Sequence, residues 1–160
     1  MAKPNEVIVR GGERGFLTEI MAREHLLIAD EPASVGGTDK GPTPYDYLLA
    51  SFGACTAMTL RIYADRRGWP LQGVTVRLWQ SRVYEKDCEE CDVKPVGIDQ
   101  IEREIDMAGP LTEEQQEGLL RIADRCPVGQ TLERGIRIVP ARAARLPESD
   151  APPAADPRYS

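Results

Sequence analysis

The sequence predicts an α+β fold in which antiparallel strands wrap around a long central helix and a second helix packs on it. Three observations carry this reading: short β-type runs near the N-terminus, an uncharged stretch over residues 47–60 inside a capped helical span, and two later runs with strict apolar alternation. At 160 residues the chain fits one domain. That domain is expected to take residues 1–140.

The first strands are read at residues 7–9, 15–20 and 25–28, divided by Gly11-Gly12 and by a polar Arg23-Glu24 corner, as an antiparallel meander. A glycine-rich loop over residues 34–43 follows. Thr43-Pro44-Tyr45-Asp46 then marks a helix start, with Thr43 as N-cap, Pro44 at the first helical position and the Asp46 carboxylate at the third. Arg66 and Arg67, then Gly68 and Pro70, mark its end, so the helix is expected over residues 44–67. A helix without a charge on any face over residues 47–60 is expected to be covered on every side. A domain of this size has little material for that, which predicts a homodimer.

Val74, Val76 and Leu78 alternate with polar neighbours, as do Ile101, Ile105 and Met107 with Glu102, Glu104 and Asp106, so each run is a strand with one wet face. A polar excursion over residues 85–97 joins them. Thr112-Glu113-Glu114-Gln115 forms a capping box that opens a second helix, on which Leu119, Ile122, Ala123 and Cys126 share a face until Pro127 ends it. Residues 136–139 read as a last strand. Residues 141–160, rich in Pro and Ala without apolar period, are expected to be disordered.

With 41% hydrophobic and 29% charged residues the composition is that of a globular protein, and a net charge of −6 argues against nucleic acid as a partner. The N-terminus has no apolar signal region, and the longest uncharged run is too short to span a bilayer, so a cytoplasmic protein without a membrane partner is expected. In that reducing compartment the four cysteines are free thiols, metal ligands or redox groups rather than a disulfide framework.

Cys55 lies in the uncharged helix beside Gly53, Ala54 and Ala57, which leave room for another backbone or a small substrate near the sulfur. The alternative is a core thiol that behaves as a small hydrophobe. Cys126 would face the first helix from the second, and if the two sulfurs converge, one thiolate can attack a substrate while the other resolves the resulting sulfenic acid. Cys88 and Cys91 form a CEEC motif with the spacing of a redox dithiol or of half a zinc site. Its carboxylates oppose thiolate formation, and a solvated excursion is the first reading, with metal binding as the alternative. His25, in a strand-like run, is read as a packed or edge residue. No HExxH, Ser-His-Asp or phosphate-loop pattern is present.

The segments GPTPYDYLLASFGACTAMTL and, later, ADRCPVGQTL resemble the OsmC/Ohr family, the osmotically inducible and organic hydroperoxide resistance proteins. The resemblance covers roughly residues 7–139. It implies an intertwined homodimer with active sites near the subunit boundary, and a thiol peroxidase without metal, haem or flavin cofactor. Cys55 would be the peroxidatic residue and Cys126 the resolving one, with a hydroperoxide as substrate and a dithiol such as a dihydrolipoyl group as reductant. In the family an arginine stabilises the thiolate and an acid holds that arginine. The Gly-Gly-Glu-Arg-Gly turn makes Arg14 the candidate for the first. Tyr45 occupies the acid's position with Asp46 adjacent, so Asp46 is the candidate for the second. The alternatives on this fold are a homodimer that binds a small apolar ligand, and a metal-binding protein that uses Cys88 and Cys91.

Overall fold

Antiparallel pairing begins where the sequence places its first β-type runs. The computed structural model, which describes residues 6–84 and 97–140, contains β1 (Val7–Gly11), β2 (Thr18–Ala22) and β3 (His25–Ala29) as a meander in the order β1-β2-β3. Val9 pairs with Ile20, and Ile20 with Leu27. The second strand starts at Thr18 rather than at residue 15, because Gly15 takes a left-handed φ of 76° in the preceding turn. His25 is exposed at the start of β3.

The chain divides into two compact units, one of Met1–Tyr47 with Ile138–Ser160 and the other of Leu48–Arg137. In the first, a single buried carboxylate organises the glycine-rich loop. Asp30 accepts hydrogen bonds from the Glu31 amide at 2.8 Å, the Thr38 amide at 3.0 Å, the Thr38 hydroxyl at 2.6 Å and the Lys40 amide at 3.2 Å. Four donors aimed at an ionised group favour the charged form. The Thr38 hydroxyl contributes most, burial opposes it, the three amides add to it, and the Asp30 carboxyl is held down at about 2.

The loop so fixed delivers the helix start. Helix α1 spans Pro44–Arg67, as the caps predict. The Asp46 amide donates to Thr43 Oγ1 at 3.2 Å, and the Thr43 amide and hydroxyl both donate to Asp46 Oδ2 at 2.8 Å. These bonds close a reciprocal N-terminal cap. Tyr47 donates its hydroxyl to the Ile28 carbonyl at 2.6 Å, which ties the first turn to β3. At the other end Gly68, with φ 64°, allows the Trp69 amide to reach the Ala64 carbonyl at 2.9 Å while its own amide bonds Asp65 at 3.2 Å, which stops the helix.

In the second unit β4 (Gly73–Tyr84) and β5 (Gly97–Ala108) pair antiparallel, with Val76 opposite Ile105 and Leu78 opposite Arg103. Leu60, Ala64, Leu71, Leu119 and Ala123 form the core, with Val74, Ile105 and Met107 packed against it. Each fully buried leucine contributes about 2 kcal/mol. Helix α2 (Glu113–Ala123) opens on the predicted capping box at Thr112 and Gln115.

Two sequence expectations are corrected. Pro127 does not end a helix but begins one: α2 stops at Ala123, and α3 spans Pro127–Arg134 with proline in its first turn and Cys126 as N-cap. A proline has no amide to lose there and its fixed φ suits the first helical position. Residues 136–139 form no strand, and Ile138 stays 89% exposed. One chain leaves part of α1 open, with Met58 64% and Ile62 51% exposed, in keeping with the little material that a domain of this size has to cover it. The excursion with Cys88 and Cys91, and the tail over residues 141–160, lie outside the described residues.

The Asp30 cluster predicts an acid-sensitive loop. With its folded pKa below the unfolded one, the unfolded state binds more protons between about pH 4 and 2, so stability is present above that window and lost through it. Asp30→Asn is expected to lower the denaturation midpoint at neutral pH. The gap between wild type and variant is expected to close as pH falls from 4 towards 2, measured by urea titration at each pH.

Candidate active site at two converging cysteines

Helical spacing sets what surrounds the first sulfur. On α1, Cys55 shares a face with Phe52 and Thr59, three residues before and four after it. Gly53, Ala54 and Ala57 do not supply room at the sulfur as the sequence suggests. They line a groove of about 410 Å³ against Val76 and Leu78, and a Cβ on Gly53 would stand 2.7 Å from Leu78 Cδ1. The small residues therefore let β4 lie close against the helix.

Cys126 reaches the same place by a different local structure. It is the N-cap of α3, with φ −57° and ψ 124° and no side-chain cap hydrogen bond, and its carbonyl accepts from the Gln130 amide at 3.0 Å. Cys126 is wholly buried, Cys55 half-buried, and both are free thiols. Their side chains lie close enough for each to perturb the ionisation of the other. The two cysteines belong to elements far apart in the chain, α1 and the start of α3.

The two sulfurs have different surroundings. Burial pushes the Cys126 thiol up, but hydrogen bonds from Cys55, the Gly129 amide, the Thr56 hydroxyl and the Val128 amide outweigh it, and the net direction is down. For Cys55 burial is again the largest effect, and donation to Cys126 adds to it. The Val128 amide and Thr59 are too little to reverse the shift, so the net direction is up.

A cation stands behind the pair that sequence reasoning missed. Arg103 of β5 is only 16% exposed; its Nη1 donates to Thr56 Oγ1 at 3.3 Å and to the Ala123 carbonyl at 3.2 Å, and its Nη2 to Asp124 Oδ1 at 2.7 Å. The guanidinium lies over the Phe52 ring, 5.1 Å from its centroid. The signal for it is in the alternation itself: Ile101, Arg103, Ile105 and Met107 fall on one face of the strand. A charge on an apolar face requires a partner.

Arg14 and Asp46 belong to the other compact unit. Arg14 is exposed in the turn between β1 and β2. The Asp46 carboxylate caps α1, and its pKa is lowered by the Thr43 amide and then the Thr43 hydroxyl, against a smaller opposing effect of burial. Beside the dithiol, Phe52, Asp99, Ile101, Arg103, Leu132 and Glu133 surround a pocket of about 440 Å³ that Gly129 also lines. Of its lining, Phe52 lies one turn before Cys55 on α1 and Gly129 in the first turn of α3 after Cys126.

Residues 37–140 match the family model described as OsmC-like protein. Among solved structures the chain is similar to an OsmC-like protein from Mycoplasma pneumoniae, with TM-score 0.63 and 19% identity over 83% of this chain and 89% of that one. It is also similar to an organic hydroperoxide resistance protein OsmC from Legionella pneumophila, with TM-score 0.57 and 19% identity over 79% and 88%. An OsmC-like protein of unknown function from Vibrio cholerae shares the fold with TM-score 0.60 and 12% identity over 83% and 95%. No curated protein matches the sequence.

The first turn of α3 approaches Phe52 so closely that a Cβ on Gly129 would stand 2.7 Å from its Cε2. Gly129→Ala is therefore expected to cost about 1–3 kcal/mol and to move the α3 amides away from the sulfurs. Slower formation of a Cys55–Cys126 disulfide under mild oxidation, followed by peptide mapping, checks it.

Proposed function

The chain belongs to the OsmC-like protein family, and on that premise we propose that it reduces hydroperoxides with Cys55 and Cys126. The observation that carries this reading is the proximity of the two free thiols, each perturbing the other's ionisation, Cys55 half-buried and Cys126 buried. Cys55 attacks the terminal peroxide oxygen, the O–O bond breaks, alcohol or water leaves, and Cys55 becomes a sulfenic acid. Cys126 captures that sulfur as a disulfide and releases the oxygen as water or hydroxide. A dithiol, such as a dihydrolipoyl group, then reduces the disulfide.

The pocket suits this substrate class. Phe52, Ile101 and Leu132 offer apolar surface, while Asp99 and Glu133, against an Arg103 already paired with Asp124, leave the wall net acidic and disfavour anionic substrates. An organic hydroperoxide without a carboxylate fits better than a fatty-acid hydroperoxide. In this reading the OsmC-like domain takes residues 1–140 and the tail takes no part in the chemistry.

The proposed assembly is an intertwined homodimer. Its support within the chain is the apolar surface that α1 leaves open at Met58 and Ile62 and along the groove lined by Leu49, Ala50 and Ala54. A second copy covers that surface and is the route by which Arg14 and Asp46 come near the dithiol. Light scattering and dilution-dependent unfolding should show a dimer that loses structure as it dissociates. A stable folded monomer at sub-micromolar concentration contradicts this.

Cys55→Ser is expected to abolish turnover of an organic hydroperoxide with added dithiol. Cys126→Ser is expected to keep a first turnover and then accumulate sulfenic or sulfinic acid on Cys55, read by intact mass. Cys88→Ser/Cys91→Ser should turn over normally, because the dithiol is complete without that motif. Full activity in Cys55→Ser would overturn the proposal, and a non-enzymatic ligand-binding homodimer would keep all its thiols reduced through the same experiment.

A further inference from the structure

We infer that Arg103 is the positioning residue of the disulfide step: it ties the residue after Cys55 to the turn before Cys126 and so sets how often the two sulfurs meet in bonding range. The inference rests on the dithiol reading above. It assigns the arginine to the capture of the Cys55 sulfenic acid and not to the attack on the peroxide.

One guanidinium touches the neighbours of both cysteines. On the α1 side Nη1 donates to Oγ1 of Thr56, the residue after Cys55, at 3.3 Å, and the guanidinium carbon lies 5.1 Å from the centroid of the Phe52 ring, one turn before Cys55. On the other side the same nitrogen donates to the Ala123 carbonyl at 3.2 Å, and Nη2 donates to Asp124 Oδ1 at 2.7 Å. The Ala123 carbonyl also accepts the Cys126 amide at 3.2 Å. Arginine and cysteine backbone thus share one acceptor, so Cys126 is placed from the point where the guanidinium binds. The Phe52 ring extends the hold past Cys126, since a Cβ on Gly129 would stand 2.7 Å from Phe52 Cε2.

The corner between α2 and α3 depends on such a tie. Packing of Leu119 and Ala123 on Leu60 brings α2 to α1, and that apolar contact ends at Ala123, where the corner begins. Within the corner the Arg125 amide bonds the Ile122 carbonyl at 2.9 Å and the Cys126 amide bonds Ala123, both of them local bonds that do not reach α1. Arg103 supplies the long-range link. It stands in β5 opposite Leu78 and is only 16% exposed, so its charge-assisted bond to Asp124 is stronger than an open surface pair.

Capture is the step that feels this geometry most. The Cys126 sulfur attacks the sulfur of Cys55–SOH, the S–S bond forms as the S–O bond breaks, and the oxygen leaves as water with the sulfenic proton and the Cys126 thiol proton. The two electrons that the dithiol gives up have gone to the hydroperoxide, already reduced to alcohol or water. A peroxide reaches Cys55 by diffusion and finds its own orientation, whereas Cys126 is wholly buried and reacts only through the geometry that the fold gives it. A misplacement of about 1 Å is enough to slow such a step about a hundredfold.

The test needs no peroxide. The full chain with Cys88→Ser/Cys91→Ser is equilibrated with 2-mercaptoethanol and its disulfide, a small uncharged pair suited to the acidic pocket wall, then alkylated and read by intact mass and peptide mapping. The amount of Cys55–Cys126 disulfide times the free 2-mercaptoethanol concentration, divided by the amount of mixed disulfide on Cys55, is the effective concentration of Cys126 at Cys55. Arg103→Met and Asp124→Ala should each lower it about tenfold. Asp124 is 74% exposed, so its variant reports even where Arg103→Met fails to fold. Both changes together should lower it no further than Arg103→Met alone, because they cut one link, and Arg103→Lys, with one nitrogen for three acceptors, should fall between. Leu71→Ala, which thins the core and removes none of the arginine's partners, should lower the denaturation midpoint and leave the effective concentration unchanged. If Asp124→Ala and every folded Arg103 variant keep the wild-type value, or if Leu71→Ala lowers it as far as they do, the inference is overturned. The expected series in a protein that consumes no hydroperoxide would count against the proposed function and not against this role of Arg103.

Discussion

Arg103 brings a guanidinium to a site that is only 16% exposed, between the middle of α1, the strand β5 and the corner that joins α2 to α3. A charge taken that far out of water must be paired and hydrogen-bonded, and here a carboxylate, a carbonyl, a hydroxyl and an aromatic face share the task. Thr56 and Phe52 come from α1, and Ala123 and Asp124 from the end of α2, so satisfying one arginine of β5 fixes the geometry of three elements. The two cysteines stand within that frame: Cys55 is adjacent to Thr56 and one turn from Phe52, and Cys126 follows Asp124 by two residues. Their convergence is a consequence of pairing this cation as much as of the apolar core below it.

The core supplies the distance and the cap supplies the chemistry. Leu60, Leu119 and Ala123 bring α1 and α2 together, and the chain then turns at Asp124 so that α3 begins at Pro127. Had α2 continued through Cys126, the thiol would sit in mid-helix, where backbone amides are already bonded to carbonyls. At an N-cap the first-turn amides are free, and those of Val128 and Gly129 act to lower the Cys126 pKa. The missing side chain at Gly129 lets that turn approach Phe52.

Helix α1 connects the two compact units through its length, and its two ends are secured differently. Its start is held by hydrogen bonds that begin at Asp30 and end in the Thr43–Asp46 cap, all within the first unit. Its end is stopped by Gly68 and the Trp69 amide in the second. The Asp46 carboxylate is therefore engaged by backbone and hydroxyl of Thr43, a structural use of the acid that the family resemblance placed near the active site.

Local chemistry decided what could be read without coordinates. The caps of α1 at Thr43 and Gly68, the capping box at Thr112 and the alternation of β4 and β5 depend on neighbours a few residues apart, so the sequence by itself determined those elements and the α+β class. Where an element depends on what it meets, the reading differed. Pro127 suits a helix start as well as a helix stop, and only the turn at Asp124 selected the first. Residues 136–139 have β-type composition but no strand partner among the described residues. Arg103 was visible as a charge on an apolar face, yet its partners Thr56 and Asp124 lie far from it in sequence. Tertiary structure alone decided that Cys126 caps a helix beside Cys55, because which amides and hydroxyls surround a sulfur is set by long-range packing that no local pattern encodes.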